Sequence, residues 1–226
     1  MRHCYALFSG GFDSTLVILK VISSRNPIEL IPVFFDYGQK SKIEEARAVK
    51  RLVPPFRERS KHPNTTIEDC RVFKIESLKS GLFSWSDSAI LKGRPEHEDT
   101  DVENRNMILI SYLASIIMAD WKRSGTNNMT EIITGFTNAY YDTSVNFIRN
   151  LNSLFKIIGK PIKVVAPLIP RGQMGGVTPE QLAKTAHELN AYSLLEHMTW
   201  SCYYPKNGVP CGNCDPCRKR RCIFGV

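Results

Sequence analysis

The sequence lacks any long hydrophobic run. Its longest uncharged apolar stretch, residues 107–119, is interrupted by serine and tyrosine and is shorter than the ~20 residues that a membrane span requires. We therefore expect a buried helix at this position and no membrane association. The apolar residues near the amino terminus end at Ser9, Gly10 and Gly11, too early for the hydrophobic core of a typical signal peptide. We expect a cytoplasmic protein.

Glycine and proline are also scarce, with 14 and 13 residues among 226. Hydrophobic residues make up 42% and charged residues 23%, close to the globular averages of roughly 45–50% and 25%. This composition excludes collagen-like, mucin-like and disordered chains. Because a domain is typically about 150 residues long, the length predicts one α/β domain with an appendage.

Cysteine is too rare for a secreted disulfide framework, and an odd number of cysteines would leave one of them unpaired. There are 7 cysteines, and four of them cluster near the end of the chain. These four are Cys202, Cys211, Cys214 and Cys217. Four thiolates at such spacings are typical of a closed, structural zinc site. An iron–sulfur cluster is the alternative, although the bacterial ferredoxin spacing is absent. Cys4, Cys70 and Cys222 are expected to be ordinary thiols.

The net charge of +8 and the basic run at residues 218–221 suggest nucleic-acid binding, because clustered cations neutralise phosphates. The run, however, directly follows the cysteine cluster. Four thiolates and one Zn²⁺ would contribute a charge of −2 at that point. Part of the basic charge could therefore compensate the metal site locally.

The order of apolar runs predicts a βαβαβ chain and hence an open parallel sheet. The helix that follows the second strand is expected to stop at Pro54 and Pro55. The polar segment 76–103 is expected to form a loop or lid. Strands are predicted at residues 5–8, 30–35, 71–75, 131–135 and 163–168, and helices at 16–22, 43–52, 106–121 and 179–190.

The segment after the first predicted strand has the features of a phosphate-binding loop. Glycines let the backbone approach an anion, hydroxyls can donate to it, and free N–H groups at a helix start attract negative charge. The segment consists of Ser9, Gly10, Gly11, Phe12, Asp13, Ser14 and Thr15. It has neither the lysine of the G-x-x-x-x-G-K-[ST] loop nor the G-x-G-x-x-G spacing. A tight strand-to-helix turn without a ligand is the alternative.

Four motifs together resemble the 7-cyano-7-deazaguanine synthase family, from one end of the chain to the other. They are the segment 9–15; Asp36, Tyr37, Gly38 and Gln39; Arg105 and Asn106 before an apolar helix; and residues 199–203 followed by 211–217 and Arg220. The resemblance implies an α/β open parallel sheet of the adenine nucleotide alpha-hydrolase-like (PP-loop) type with a C-terminal zinc-binding knob. It implies a PP-loop ATP-binding adenylation domain at residues 1–195 and a tetracysteine zinc-binding segment at residues 196–226.

The resemblance also implies an ATP-dependent ligase reaction. In the family, ATP adenylates 7-carboxy-7-deazaguanine, ammonia displaces AMP to give an amide, and a second ATP dehydrates the amide to the nitrile, on the route to queuosine. ATP, Mg²⁺ and structural Zn²⁺ are the implied cofactors. A homodimer is the implied assembly.

Individual residues receive roles from the same resemblance. Asp13 would hold Mg²⁺, and Asp13, Ser14 and Arg105 would be catalytic. Arg105 is suited to a carboxylate or phosphate by its planar guanidinium, with a surface ion pair as the alternative. Phe35 and Tyr37 could stack on the purine, although core packing is as good an interpretation for Phe35. Further nucleotide contacts are expected from Ser9, Gly10, Gly11, Phe12, Thr15, Gly38, Gln39, Asn106 and Gly135.

The sequence leaves the acceptor of the activated acid open. Residues 136–146 form a shorter segment than the resemblance predicts, with Thr143 and Ser144 where Cys and Arg are expected. The lysine that the resemblance predicts before the penultimate helix is also absent. Arg171 or Lys184 would have to replace it. Divergent relatives in antiphage defence join the deazaguanine acyl group to a protein amine, so both ammonia and a protein amine are candidates. A zinc-dependent nucleic-acid-binding module is the alternative from another class.

Overall fold

The computed structural model describes residues 1–75 and 104–225, in which strands alternate with helices. A short 3-10 turn at Tyr141–Thr143 precedes the fourth helix. The elements are β1 (Arg2–Leu7), α1 (Phe12–Ile22), β2 (Ile28–Asp36), α2 (Lys42–Arg59), β3 (Thr66–Ile67), β4 (Arg71–Lys74), α3 (Arg105–Ser124), β5 (Thr130–Ile133), α4 (Val145–Ile157), β6 (Ile162–Val165), α5 (Pro179–Glu188), α6 (Tyr192–Met198) and α7 (Asp215–Phe224).

The strands of the described residues form one parallel sheet in the order β3-β2-β1-β5-β6, with β4 also paired to β2. The registers Leu7 with Val33 and Ala6 with Ile133 bring the carboxyl ends of β1, β2 and β5 to one edge. β2, the next strand in the sequence, lies on one side of β1, and β5, which comes much later in the sequence, lies on the other side. A crevice therefore opens between the ends of β1 and β5, where open parallel sheets bind their ligands.

Helices cover both faces of the sheet and bury its side chains in two apolar clusters. Side chains of α1, α2, α5, α6 and α7 pack on one face, and side chains of α3 and α4 pack on the other. In β2, Leu30 and Phe34 belong to the first cluster, whereas Ile31, Val33 and Phe35 belong to the second. This alternation explains why β2 is a nearly continuous hydrophobic run, as is usual for a parallel strand buried on both faces.

The predicted α/β open parallel sheet is confirmed, and each predicted strand is present with shifts of a few residues at its ends. The sequence analysis did not predict α4, α6 and α7, nor the two-residue strand β3. The predicted lid at 76–103 lies outside the described residues, and the domain boundary at residue 195 stays a prediction. Within residues 1–75 and 104–225, no helix is long and apolar enough to cross a membrane.

The predicted end of α2 is wrong, because the helix continues through Pro54 and Pro55 to Arg59. Two interior prolines remove two backbone donors and are normally costly. Packing outweighs this cost: Phe56 is fully buried, with its ring centroid 5.4 Å from that of Phe8. The next residue fixes the last turn, since Arg57 Nε donates to the carbonyl of Ile67 at 2.9 Å.

Replacing Pro54 by alanine should stabilise the protein. Pro54 is exposed, so little packing is lost, and the new N–H can donate to the carbonyl four residues earlier. We expect the free energy of unfolding, measured in urea, to rise by about 1–2 kcal/mol. Removing an interior proline favours the helix by more than this, but alanine also gives the unfolded chain more freedom, which offsets part of the gain.

Pro63→Ala is the matched control. Pro63 is also exposed but stands in a turn, in which the N–H of Thr65 donates to the carbonyl of His62 at 3.0 Å. Proline favours the second position of such turns, so this substitution should lower stability slightly. Equal losses of stability for both variants would contradict a continuous α2.

Candidate functional site

The glycine loop lies between β1 and α1, at the crevice edge of the sheet. Gly11 is the N-cap of α1 and has no side-chain cap, and the first intrahelical bond runs from Thr15 N–H to the Gly11 carbonyl at 3.0 Å. The N–H groups of the first turn therefore have no acceptor within the helix. Such N–H groups form an anion-binding site when they face an open crevice.

Two glycines let neighbouring backbone approach the loop closely. Gly10 has φ +72°, and a Cβ at this position would stand 2.9 Å from the Cβ of Ala48 in α2. Gly135 follows β5, and a Cβ there would stand 2.9 Å from both the carbonyl carbon of Asp13 and the nitrogen of Ser14. The residue after β5 thus lies close against the first turn of α1, with no room for a Cβ between them.

The serine hydroxyls of the loop form a small network. Ser9 Oγ lies 3.1 Å from Ser14 Oγ and accepts from the N–H of Gly11 at 3.3 Å, and Ser14 Oγ donates to the Gly11 carbonyl at 3.2 Å. Thr15 differs, because it is fully buried and its hydroxyl has no hydrogen-bond partner among the residues described. Ser9 and Ser14 are therefore the loop hydroxyls better placed to reach a ligand.

Asp13 forms an ion pair that the sequence did not indicate. Lys219 Nζ, on α7, donates to both carboxylate oxygens of Asp13 at 2.7 Å. Both side chains are partly exposed, 34% for Asp13 and 29% for Lys219. The two residues are 206 positions apart in the chain, so only the fold brings them together.

The segment after β2 is held by its own hydrogen bonds. Gln39 Nε2 donates to the carbonyl of Phe35 at 3.0 Å, and its Oε1 accepts from the N–H of Tyr37 at 3.0 Å. Gly38 has φ +87° and donates its N–H to Asp36. Phe35 itself is buried, with ring centroids of Phe73 and Tyr112 at 6.1 and 5.9 Å. Core packing thus explains the position of the Phe35 ring, and Tyr37 is the better candidate for stacking on a purine.

Arg105 begins α3 and lies between two tyrosines, one after β2 and one in the cysteine segment. Its guanidinium is hydrogen-bonded to Tyr37, and the electrostatic interaction with that phenol raises the pKa of Arg105, with burial opposing the shift. Tyr203 faces the same guanidinium, and burial raises the pKa of Tyr203 to about 12. Asn106 Nδ2 donates to Asp142 at 2.7 Å, and the carboxylate of Asp142 also favours the charged guanidinium. The guanidinium is thus a cation enclosed by two tyrosines and a carboxylate.

The predicted cysteine cluster is present, since the four sulfurs of Cys202, Cys211, Cys214 and Cys217 lie within 4.8 Å of one another. A tetrahedral zinc with Zn–S bonds of about 2.3 Å needs sulfurs about 3.8 Å apart, so the donor set fits this metal and could bind it. The Cys202 sulfur accepts from the N–H groups of Cys211 and Tyr204 at 3.2 and 3.3 Å, bonds that support a thiolate.

The pKa values of two cluster thiols are shifted in opposite directions. Burial raises the pKa of the Cys202 thiol to about 11. Burial also opposes ionisation of Cys211, but the N–H groups of Asn213 and Cys214 outweigh it and lower the pKa of that thiol to about 7. Metal binding requires deprotonated thiols, and Cys211 ionises more readily than Cys202.

The cysteine segment is joined to the glycine loop by backbone and side-chain hydrogen bonds. Trp200 N–H donates to the Gly10 carbonyl at 2.9 Å, and its Nε1 donates to the Cys202 carbonyl at 2.9 Å. Ser201 Oγ accepts from the N–H of Phe12 at 3.4 Å. The tail therefore forms one wall of the candidate site rather than a separate appendage.

The fold and the site together define an open parallel α/β protein with a glycine loop at its first βα turn and a cysteine cluster that could hold zinc. The family model described as "Queuosine biosynthesis protein QueC" matches residues 3–225. The chain belongs to this family, as the resemblance of its motifs predicts.

Several relatives support this assignment. A protein of Saccharolobus solfataricus named 7-cyano-7-deazaguanine synthase is 30% identical over 96% of this chain, which spans only 44% of that protein's length. Proteins of the same name from Acetivibrio thermocellus and Nautilia profundicola are 28% and 27% identical over 96% and 97% of this chain, and 90% and 92% of their own lengths are covered.

One solved structure, described as a 4-thiouridine synthetase–RNA complex with bound ATP, is also similar. Its TM-score is 0.46 and its identity 18%, with 98% of this chain and 50% of that chain covered. Membership of the family stands on the sequence match and not on this distant likeness.

The cysteine cluster should bind about one zinc per chain, and Cys214→Ser should lose it. Cys214 is 4% exposed and caps α7, so loss of the metal should also reduce solubility, because a small segment depends on its metal for folding. Cys222→Ser is the control, since Cys222 is exposed and outside the cluster. Metal analysis of both purified variants tests this, and a metal-free, soluble Cys214→Ser protein with an unchanged melting temperature would refute a structural role.

Gly135→Ala should displace the glycine loop. Its Cβ would overlap backbone atoms of Asp13 and Ser14, which cannot move aside as a flexible side chain can. We expect ATP binding to weaken at least about tenfold, because a small displacement of a preorganised site is costly. Gly175→Ala, where nothing lies within 4 Å of the added Cβ, is the matched control in the same calorimetric titration. Equal ATP affinity in the two variants would show that the loop does not bind the nucleotide.

Proposed function

We propose that the protein is an ATP-dependent ligase that adenylates 7-carboxy-7-deazaguanine and transfers the acyl group to ammonia. The observation that carries the proposal is the backbone contact between Gly135 and the first turn of α1 at the crevice of the sheet, in a chain of this family. A glycine loop at this position supports a reaction that releases pyrophosphate from a nucleotide.

The chemical purpose of the first step is to create a leaving group. A carboxylate resists attack because oxide would have to leave. When a carboxylate oxygen attacks the α-phosphorus of ATP, the bond to the β-phosphate breaks and pyrophosphate departs with the electron pair. Ammonia then attacks the acyl carbon, the bond to AMP breaks, and a proton is lost. Catalysis of such steps is mainly positioning and neutralisation of charge.

The described residues suggest roles in these steps. The first-turn N–H groups of α1, with the hydroxyls of Ser9 and Ser14, would receive the departing pyrophosphate. Arg105, held by Tyr37, would receive the carboxylate of the acid or the α-phosphate, for which its planar fork is suited. A single carboxylate with phosphate oxygens is a donor set that suits Mg²⁺, and Asp13 would hold this ion, which when bound neutralises phosphate charge.

The nitrile would arise from the amide by a second activation. The amide oxygen attacks a second ATP and pyrophosphate leaves; the carbon–oxygen bond then breaks, AMP departs, and two N–H protons are lost. The same loop and the same cations would serve both activations.

A protein amine is the second candidate acceptor, and one observation favours it. Tyr140 and Tyr141, in the short segment after β5, are 63% and 72% exposed. Large exposed aromatic side chains beside a site are typical of surfaces that receive a macromolecule. The same activation would then end in an amide bond to the partner protein.

Mass spectrometry of the reaction separates these possibilities. The purified protein, ATP, Mg²⁺, the acid and ammonium should give acid-dependent AMP, then a product in which OH is exchanged for NH₂, then a product lacking one further water. AMP without either product would exclude ammonia, and a deazaguanine adduct on a co-expressed protein would then identify the second acceptor. Asp13→Asn should form no AMP, whereas Cys222→Ser should be fully active. Absence of acid-dependent AMP from the wild-type protein would refute the proposed function.

A further inference from the structure

The glycine loop contains no cation of its own. Residues 9–15 include one charged side chain, the carboxylate of Asp13. The pyrophosphate part of ATP carries several negative charges, so a site that binds it needs cationic groups from elsewhere in the fold. Lys219 is such a group, because its Nζ lies 2.7 Å from both carboxylate oxygens of Asp13.

The backbone of Lys219 is held on both sides in the sequence. Cys217, two residues earlier, belongs to the cysteine cluster. Arg220, the next residue, donates to Thr199 Oγ1 at 2.9 Å and stacks 4.8 Å from the ring centroid of Phe224. Phe224 in turn contacts Phe12 of α1, with ring centroids 5.6 Å apart. Helix α7 is thus fixed against the loop, while the lysine side chain keeps four rotatable bonds.

The ion pair itself has little value for stability. Both partners are about one third exposed to solvent, and ion pairs of this kind contribute little to the free energy of folding. Breaking the pair is therefore easy when a stronger anion arrives. An ammonium group has three donors in a compact charge, which suits phosphate oxygens.

We propose that Lys219 is the pyrophosphate-binding cation of this site, supplied by the cysteine-bearing tail. This inference rests on the proposed function. In the nucleotide-free protein Lys219 neutralises Asp13, and when ATP binds, Nζ moves to the β- and γ-phosphate oxygens and leaves the Asp13 carboxylate available to Mg²⁺. The tail thereby completes the nucleotide site, and its ligand class is a nucleoside triphosphate or inorganic pyrophosphate.

Calorimetric titration with ATP and with AMP, in buffer without magnesium or a chelator, tests this role. Lys219→Met keeps the length of the side chain and removes its charge, and it should weaken ATP binding roughly tenfold or more, the usual effect of losing a charge-assisted hydrogen bond. AMP lacks the β- and γ-phosphates, so its affinity should not change. Lys219→Arg should restore most of the ATP affinity.

Two variants separate the cation from the ion pair. Asp13→Asn also breaks the pair but keeps Lys219, so it should retain ATP affinity in the absence of magnesium. Lys122→Met makes the same substitution at an exposed position of α3 and should bind ATP as the wild type does. Zinc content and melting temperature, measured for each variant, show whether the tail is intact, and Lys219→Gln is a second neutral variant if Lys219→Met does not fold.

The outcomes are distinct. Unchanged ATP affinity in a folded Lys219→Met or Lys219→Gln protein would show that the contact between Lys219 and Asp13 is only a structural ion pair. That result would overturn the inference. Equal losses for ATP and AMP would also overturn it, because the effect would not concern the pyrophosphate. A wild-type protein that binds neither nucleotide would instead refute the proposed function.

Discussion

The enclosure of the glycine loop by backbone on three sides is the constraint on which the site depends. Helix α2 meets the loop at Gly10, the end of β5 meets it at Gly135, and Trp200 donates its N–H to the Gly10 carbonyl. Backbone atoms cannot move aside as flexible side chains do. The N–H groups at the start of α1 are therefore oriented before any ligand arrives, which is the preorganisation that charge-stabilising sites require.

The cysteine-bearing tail contributes to this enclosure because it lacks an extended core of its own. Its buried members are Cys202, Cys214 and Cys217, with Trp200 and Tyr204 packed against them. A metal bound by the four sulfurs would fix this segment as an apolar core fixes a larger one. Ser201 and Lys219, which contact Phe12 and Asp13, lie one and two residues from cluster cysteines. A bound metal would therefore help to fix Ser201 and Lys219, and through them it would help to hold the glycine loop in place.

The features that the sequence predicts well are local ones. The strand, glycine loop and helix at residues 2–22 and the cysteine spacing at residues 202–217 each consist of neighbouring residues whose chemistry is readable from the pattern. Two missed helices also had local signals: Ser144 caps α4 and accepts from Phe147 N–H, and Asp215 and Pro216 begin α7. Serine caps and prolines in the first turn are typical helix starts.

The features that the sequence could not predict depend on contacts between distant residues. The extension of α2 beyond Pro54 follows from the burial of Phe56 against Phe8, and tertiary packing of this kind overrides local propensity. Lys219 and Tyr203 reach the site only because α7 and the cysteine segment fold back onto the glycine loop and α1. No spacing rule connects Asp13 with a lysine near the other end of the chain.

Two arginines of the basic run bind backbone carbonyls of the cysteine cluster. Arg221 donates to the Gly212 carbonyl at 3.1 Å, and Arg218 is paired with Asp215 and donates to the Asn213 carbonyl. These two carbonyls belong to the turn between Cys211 and Cys214. Four thiolates and one zinc ion would carry a net charge of −2 beside this turn. The guanidinium groups therefore stabilise the metal-binding turn, whereas a groove for nucleic acid needs cations that are available to phosphates. Lys219, in the same run, pairs with Asp13 instead, so the fold provides a carbonyl or carboxylate partner for each of these three cations.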